Sequence, residues 1–143
     1  MGKIHEKGKK VFWNKIMKEN LMVQQQVRNK WQHMVGVICL NQTYRKQVKE
    51  VLPKLFKRYP NARAYLRGKL KTQENMLKPL GMWSVRAKRL RKMSKQFLTW
   101  NGVEASDLHG IGKYGSDSYK IFYKKQIPDD VQDKELKRYI EQL

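Results

Sequence analysis

Apolar positions follow a helical period along nearly the whole chain. Trp31, Met34, Val35 and Ile38 recur at i, i+3, i+4 and i+7, which is one face of a helix. Val48, Val51, Leu52, Leu55 and Phe56 make a second such face, and Tyr59-Pro60 breaks it, because proline and the residue before it resist helix. The pattern predicts short helices over 61–66, closed by Gly68, and over 72–77, with Thr72 as N-cap. Residues 83–98 predict the longest helix, with Trp83, Ala87, Leu90 and Phe97 on one face. After an Asn101-Gly102 turn come a helical turn at 103–108 and a helix from about Gly115 to 123, with Pro128 closing that region. Leu136, Tyr139, Ile140 and Leu143 mark a last amphipathic helix, with Asp133 just ahead of it. No alternating apolar and polar run is long enough for a convincing strand. The chain therefore reads as all-α, and its 143 residues fit one domain. We divide it into a basic N-terminal arm, 1–20, and a helical domain, 21–143.

Charge changes this picture most. Thirty-two Lys and Arg face 12 Asp and Glu, a net charge of +20. Only Glu6, Glu19, Glu50 and Glu74 precede residue 104, so the acids gather at the C-terminal end. Such a cation calls for a polyanion, with nucleic acid the first candidate and an anionic membrane the second. Arg86, Lys88, Arg89, Arg91, Lys92 and Lys95 lie on the longest helix without one acid among them. A solvated face would mix signs to gain i,i+4 pairs, so this stretch points to a polyanion contact. The N-terminal arm reads equally as a DNA-binding arm or a solvated tail. No apolar run reaches the ~20 residues of a spanning helix, and the N-terminus has no apolar signal region. An intracellular, DNA-associated protein is the expectation. Cys39 is the single cysteine and sits in an apolar run, which excludes an internal disulfide, a cysteine zinc site and a four-cysteine cluster.

Gly110, Gly112 and Gly115 spell G-x-G-x-x-G, a dinucleotide-binding fingerprint. That motif needs a strand before its first glycine and a parallel strand after its helix. Here a helical turn precedes it and a loop follows, and no phosphate-loop motif is present either. A helix–Gly-x-Gly–helix unit has another use. Glycines at positive φ turn the backbone sharply and leave N–H groups unshielded, which suits one DNA phosphate. Lys113 would add charge beside it.

At this point the residues resemble a known family. The segments L-N-Q-T at 40–43, L-K-P-L-G-M at 77–82, R-A-K at 86–88, L-H-G-I-G-K-Y-G-S-D-S-Y at 108–119 and D-x-x-L-x-x-Y at 133–139 carry the likeness. They are similar to the helix–hairpin–helix (endonuclease III) DNA glycosylases, and within them to the mismatch thymine/uracil glycosylases that animals attach to a methyl-CpG-binding domain. The resemblance runs over 27–139. It implies a two-lobed, all-helical fold with a DNA-facing cleft. It also implies removal of thymine, uracil or a modified pyrimidine such as 5-hydroxymethyluracil from duplex DNA, with no cofactor or metal and as a monomer.

The resemblance assigns the catalytic carboxylate to Asp133, with Asp129 and Asp130 as alternatives. From the residues alone, Asp133 reads as an N-cap. Strand-cutting relatives place a lysine where this chain has Tyr114, so base removal without strand cleavage is implied, with Tyr114 lining the base pocket. A partner glutamine falls near Gln24, Gln25 or Gln26. Met82 takes the place of a wedge that enters the vacated stack, and a core methionine is an equal reading. Gly110, Gly112, Lys113, Arg86 and Arg89 would contact DNA. Gln42 departs from the pattern, since the family has arginine there; Arg45 is a conceivable substitute. This departure leaves room for another target, such as hypermodified thymine in viral DNA. A non-catalytic DNA-binding module and a small RNA- or ribosome-associated protein are the competing readings.

Overall fold

A computed structural model describes residues 27–141. The arm, Gln24, Gln25, Gln26 and Leu143 lie outside the described residues, as does the side chain of Arg45. Among the described residues seven α-helices follow in order: α1 Lys30–Leu40, α2 Arg45–Arg58, α3 Ala62–Arg67, α4 Leu70–Leu77, α5 Trp83–Thr99, α6 Lys113–Tyr119 and α7 Lys134–Glu141. Short 3-10 turns at Lys78–Leu80 and Ala105–Asp107 and a π turn at Lys120–Lys124 fill the joints. No strand occurs among the described residues.

Local chemistry explains the helix ends. Asn29 caps α1 by accepting from the Gln32 N–H, and Asn61 caps α3 by accepting from that of Ala64, each at 2.9 Å. Helix α4 starts earlier than its sequence suggests. It begins at Leu70 behind Lys69, so Thr72 is an interior residue rather than a cap.

Helix α5 is the spine, with α1, α3 and α4 packed along it. The predicted faces of α1 and α2 are buried, as are Ala87 and Leu90 of α5. Trp31 meets Phe56 and Tyr65, and its indole N–H donates to Ser94 Oγ at 2.9 Å, a buried link from α1 to α5. Trp83 departs from its predicted place. It is exposed, with the Lys78 ammonium 5.7 Å from its ring.

A second, smaller lobe is built on Ile121, Phe122, Leu136 and Tyr139. Tyr114 and Tyr123 pack against both cores and so join the lobes.

Candidate active site

A cleft of about 740 Å³ opens between the lobes. One wall is the end of α1 with its exit turn, including Val37, Asn41, Gln42 and Thr43, together with the hairpin from Gly110 to the start of α6. The other wall carries Asp133 and Glu135. Asp133, Tyr114, Gly110, Gly112, Lys113 and Gln42 therefore share one cleft.

Asp133 stands immediately before α7. Its Oδ2 accepts from the backbone N–H groups of Glu135 and Leu136, each at 3.0 Å. This is an N-cap, and it leaves Oδ1 as the oxygen not committed to the helix. The alternative carboxylates stand elsewhere. Asp129 lines an adjoining hollow of about 470 Å³ with Ser106, Ser116 and Lys120, which meets the cleft at Gly112 and Lys113. Asp130 is exposed, and its Oδ2 accepts weakly from Gln132 at 3.4 Å. Neither is among the residues lining the main cleft. Glu135 is the cleft carboxylate that sequence reasoning missed. No sequence signal singled it out, since an acid in the first turn of a helix is ordinary.

The hairpin uses its glycines unequally. Gly110 takes φ 85, a conformation that favours glycine. A Cβ there would also lie 3.2 Å from Ile38 Cγ1 and from Arg89 Cδ, so the Arg89 stem packs over the hairpin. Gly112 has φ −98 and precedes α6, so the expected positive φ at both glycines holds only at Gly110. Gly115 does not start α6 but lies inside it. A Cβ on Gly115 would come within 2.8 Å of Val37 and Ile111 side-chain atoms, so its absence lets α1 and α6 meet. Lys113 Nζ sits 3.1 Å from Asp117 Oδ2, an i,i+4 pair within α6 whose lysine stays partly exposed at the hairpin.

The cationic run on α5 splits. Arg86 was expected on DNA, but its side chain is buried, and Nε donates to the Gly81 carbonyl at 2.9 Å. Its Nη1 donates to the carbonyls of Ile38 and Cys39 at 3.3 and 3.4 Å. These bonds turn Nε and Nη1 to backbone carbonyls rather than outward to a phosphate. Arg91 likewise turns inward, to Gly68 O, Leu66 O and Gln73 Oε1. Lys88, Lys92 and Lys95 are exposed and Arg89 is half-buried. Burial, then Lys92 and Arg89, lowers the pKa of His109 beside the hairpin. Burial pushes the Cys39 thiol up to about 12 against the opposing pull of Arg86. Met82 is 54% exposed at φ 46, which favours the protruding side chain over the core methionine.

Among the described residues no cluster of His, Cys, Asp and Glu is suited to hold a metal, and no helix is long and apolar enough to cross a membrane.

Residues 35–143 match the HhH-GPD superfamily base excision DNA repair proteins. A methyl-CpG-binding domain protein 4-like protein of Arabidopsis thaliana is 32% identical over 103 residues, covering 72% of this chain and 23% of that protein. A thymine/uracil-DNA glycosylase of Pyrobaculum aerophilum is 25% identical over 140 residues, covering 93% of this chain and 60% of that one. The chain thus spans less than two-thirds of either relative. Among solved structures, a trapped endonuclease III–DNA covalent intermediate superposes with TM-score 0.61 at 16% identity, over 80% of this chain and 59% of that chain. A thermostable thymine-DNA glycosylase superposes with TM-score 0.59 at 23% identity, over 85% of this chain and 61% of that chain. These two likenesses carry the fold.

Proposed function

The chain belongs to the HhH-GPD superfamily of base excision DNA repair proteins, and on that premise we propose that it is a monofunctional DNA glycosylase. Its substrate is thymine, uracil or a modified pyrimidine such as 5-hydroxymethyluracil in duplex DNA, and its product is an abasic site. The observation that carries this reading is the single cleft lined by Asp133, Tyr114 and the glycine hairpin. A protein that only bound DNA could cap α7 with a neutral Ser, Thr or Asn and would avoid a carboxylate that repels phosphates.

A base inside a duplex is unreachable, so the nucleotide must turn out of the stack. Breaking the C1′–N1 bond then leaves positive charge on the sugar, as in glycoside hydrolysis. Asp133 stabilises that charge and orients the attacking water. Its Oδ2 is fixed by two backbone N–H groups, so the other oxygen is held ready without further ordering. Tyr114 packs against the flipped pyrimidine. It stands where strand-cutting relatives place a lysine, and a phenol cannot form the Schiff base that strand cleavage requires.

The test uses labelled duplexes bearing T:G, U:G, U:A and hydroxymethyluracil pairs, followed by hot alkali to break abasic sites. We expect breaks only after alkali, and none from Asp133→Asn. No breaks on any duplex would favour the binding module. A covalent adduct trapped by borohydride would overturn the monofunctional assignment. Gln42, which lines the cleft where the resemblance has arginine, favours a second reading, with hypermodified thymine as the target. A duplex carrying such a base belongs in the panel.

A further inference from the structure

Two exposed turns carry side chains on left-handed backbone, and one buried guanidinium joins them. Gln42 sits at φ 56 in the turn that leaves α1, and Met82 at φ 46 in the turn that enters α5. This conformation is unfavourable for a residue with a Cβ and persists only where the surroundings over-determine it. Arg86 supplies such a surrounding. It donates to the Gly81 carbonyl, directly before Met82, and to the Ile38 and Cys39 carbonyls in the last turn of α1. The Ile38 carbonyl also accepts from the Asn41 N–H at 3.3 Å, so Arg86 joins the C-cap of α1 from another element. The residue is only 3% exposed. All three partners are main-chain atoms, so the contact fixes backbone against backbone.

We infer that Arg86 is a positioning residue that locks the Gln42 and Met82 turns into one register, so that both side chains enter an opened base pair together. The inference rests on the glycosylase reading. It differs from a phosphate contact because the guanidinium never meets DNA. It also differs from general packing, because its effect matters only when a pair must be opened.

Arg86→Lys keeps the charge but loses the planar fork that spans two turns. The duplex carries 2-aminopurine beside a target nucleotide that resists excision, and fluorescence reads base flipping whether or not the enzyme turns over. We expect Arg86→Lys to lower the flipping equilibrium and duplex excision by up to about 10²-fold, which is what a misplacement of about 1 Å can cost. Excision of uracil from single-stranded DNA, where nothing has to be opened, should be unchanged. Equal losses on single and double strands would reduce Arg86 to a structural residue and overturn the inference. So would unchanged flipping in the variant, or no fluorescence rise with the wild type. A salt dependence flattened by about 0.9 would instead identify a direct phosphate contact. A wild type that flips but excises nothing defeats the glycosylase reading alone, and the fluorescence arm still decides on Arg86. Should Arg86→Lys not fold, Gln42→Ala, Met82→Ala and the double variant are compared in the flipping assay. Turns held by one brace couple, so less-than-additive losses support the inference and additive losses overturn it.

Discussion

The two walls of the cleft are held in different ways. The wall of α1 and the hairpin rests on the main core, where Val37, Ile38, Leu108 and Ile111 are all buried and glycines allow close approach. The wall that carries Asp133 rests on a small cluster of Ile121, Phe122, Leu136 and Tyr139. Elements with little buried apolar contact open locally at low free energy. The difference teaches a division of labour. On the proposed function, the wall on the larger core would present backbone to DNA and the lightly anchored one would bring the carboxylate.

The comparison breaks first on chemistry. Asp133→Asn should lower single-turnover excision by about 10³-fold, the scale of one well-placed electrostatic group. Its melting temperature should barely move, because asparagine caps a helix about as well as aspartate. A lower melting temperature with excision retained would mean that Asp133 only caps. The next largest effect separates the walls by stability. Leu136→Ala should cost about 2–5 kcal/mol, as buried leucines do, and the loss should stay local. Hydrogen exchange should quicken across α7 while α1 and α5 stay protected. Equal quickening in all three would show that the walls share one core.

Within the rigid wall, Gly115→Ala should cost about 1–3 kcal/mol in urea unfolding, since the new Cβ meets Val37 and Ile111. Gly112→Ala has open space around it and should stay within about 0.5 kcal/mol. The reverse order would move the tight contact from Gly115 to Gly112. The smallest effect concerns the outward lysines. Each of Lys88→Gln, Lys92→Gln and Lys95→Gln should lower the salt slope of duplex binding by up to about 0.9. Arg91→Gln should lower stability and leave that slope alone. A slope that changes only with Arg91 would invert the split seen along α5.

Much of this was legible in the sequence. The faces of α1 and α2 repeat at helical spacing, and all their apolar members are buried. Asn61 and Gly68 bound α3 as their types suggest. What could not be read was the sorting of like charges. Arg86 and Lys88 look alike in a cationic run, yet one reaches carbonyls 47 and 48 residues away. Nothing local encodes that choice. Gly115 misled for a related reason: it reads as the start of a helix, while its use depends on Val37 of another helix. Thr72 matched a capping preference, but its helix had already begun two residues earlier. The cap at Asp133 was legible from its position, while its catalytic assignment rests on resemblance and on its place in the cleft. Glu135 was not legible, because a charged residue in a first helical turn is ordinary.

The cap at Asp133 has a consequence for how this protein would fail. The oxygen that starts α7 and the oxygen offered to the cleft belong to one carboxylate. With Asp133 in its proposed role, fraying of that helix would disarm the site before the hairpin wall loosens. Heated or aged protein would pass through a state that still grips DNA but no longer cuts a glycosidic bond. In a cell, such molecules would occupy lesions without clearing them, and their decay would be seen as obstruction rather than absence.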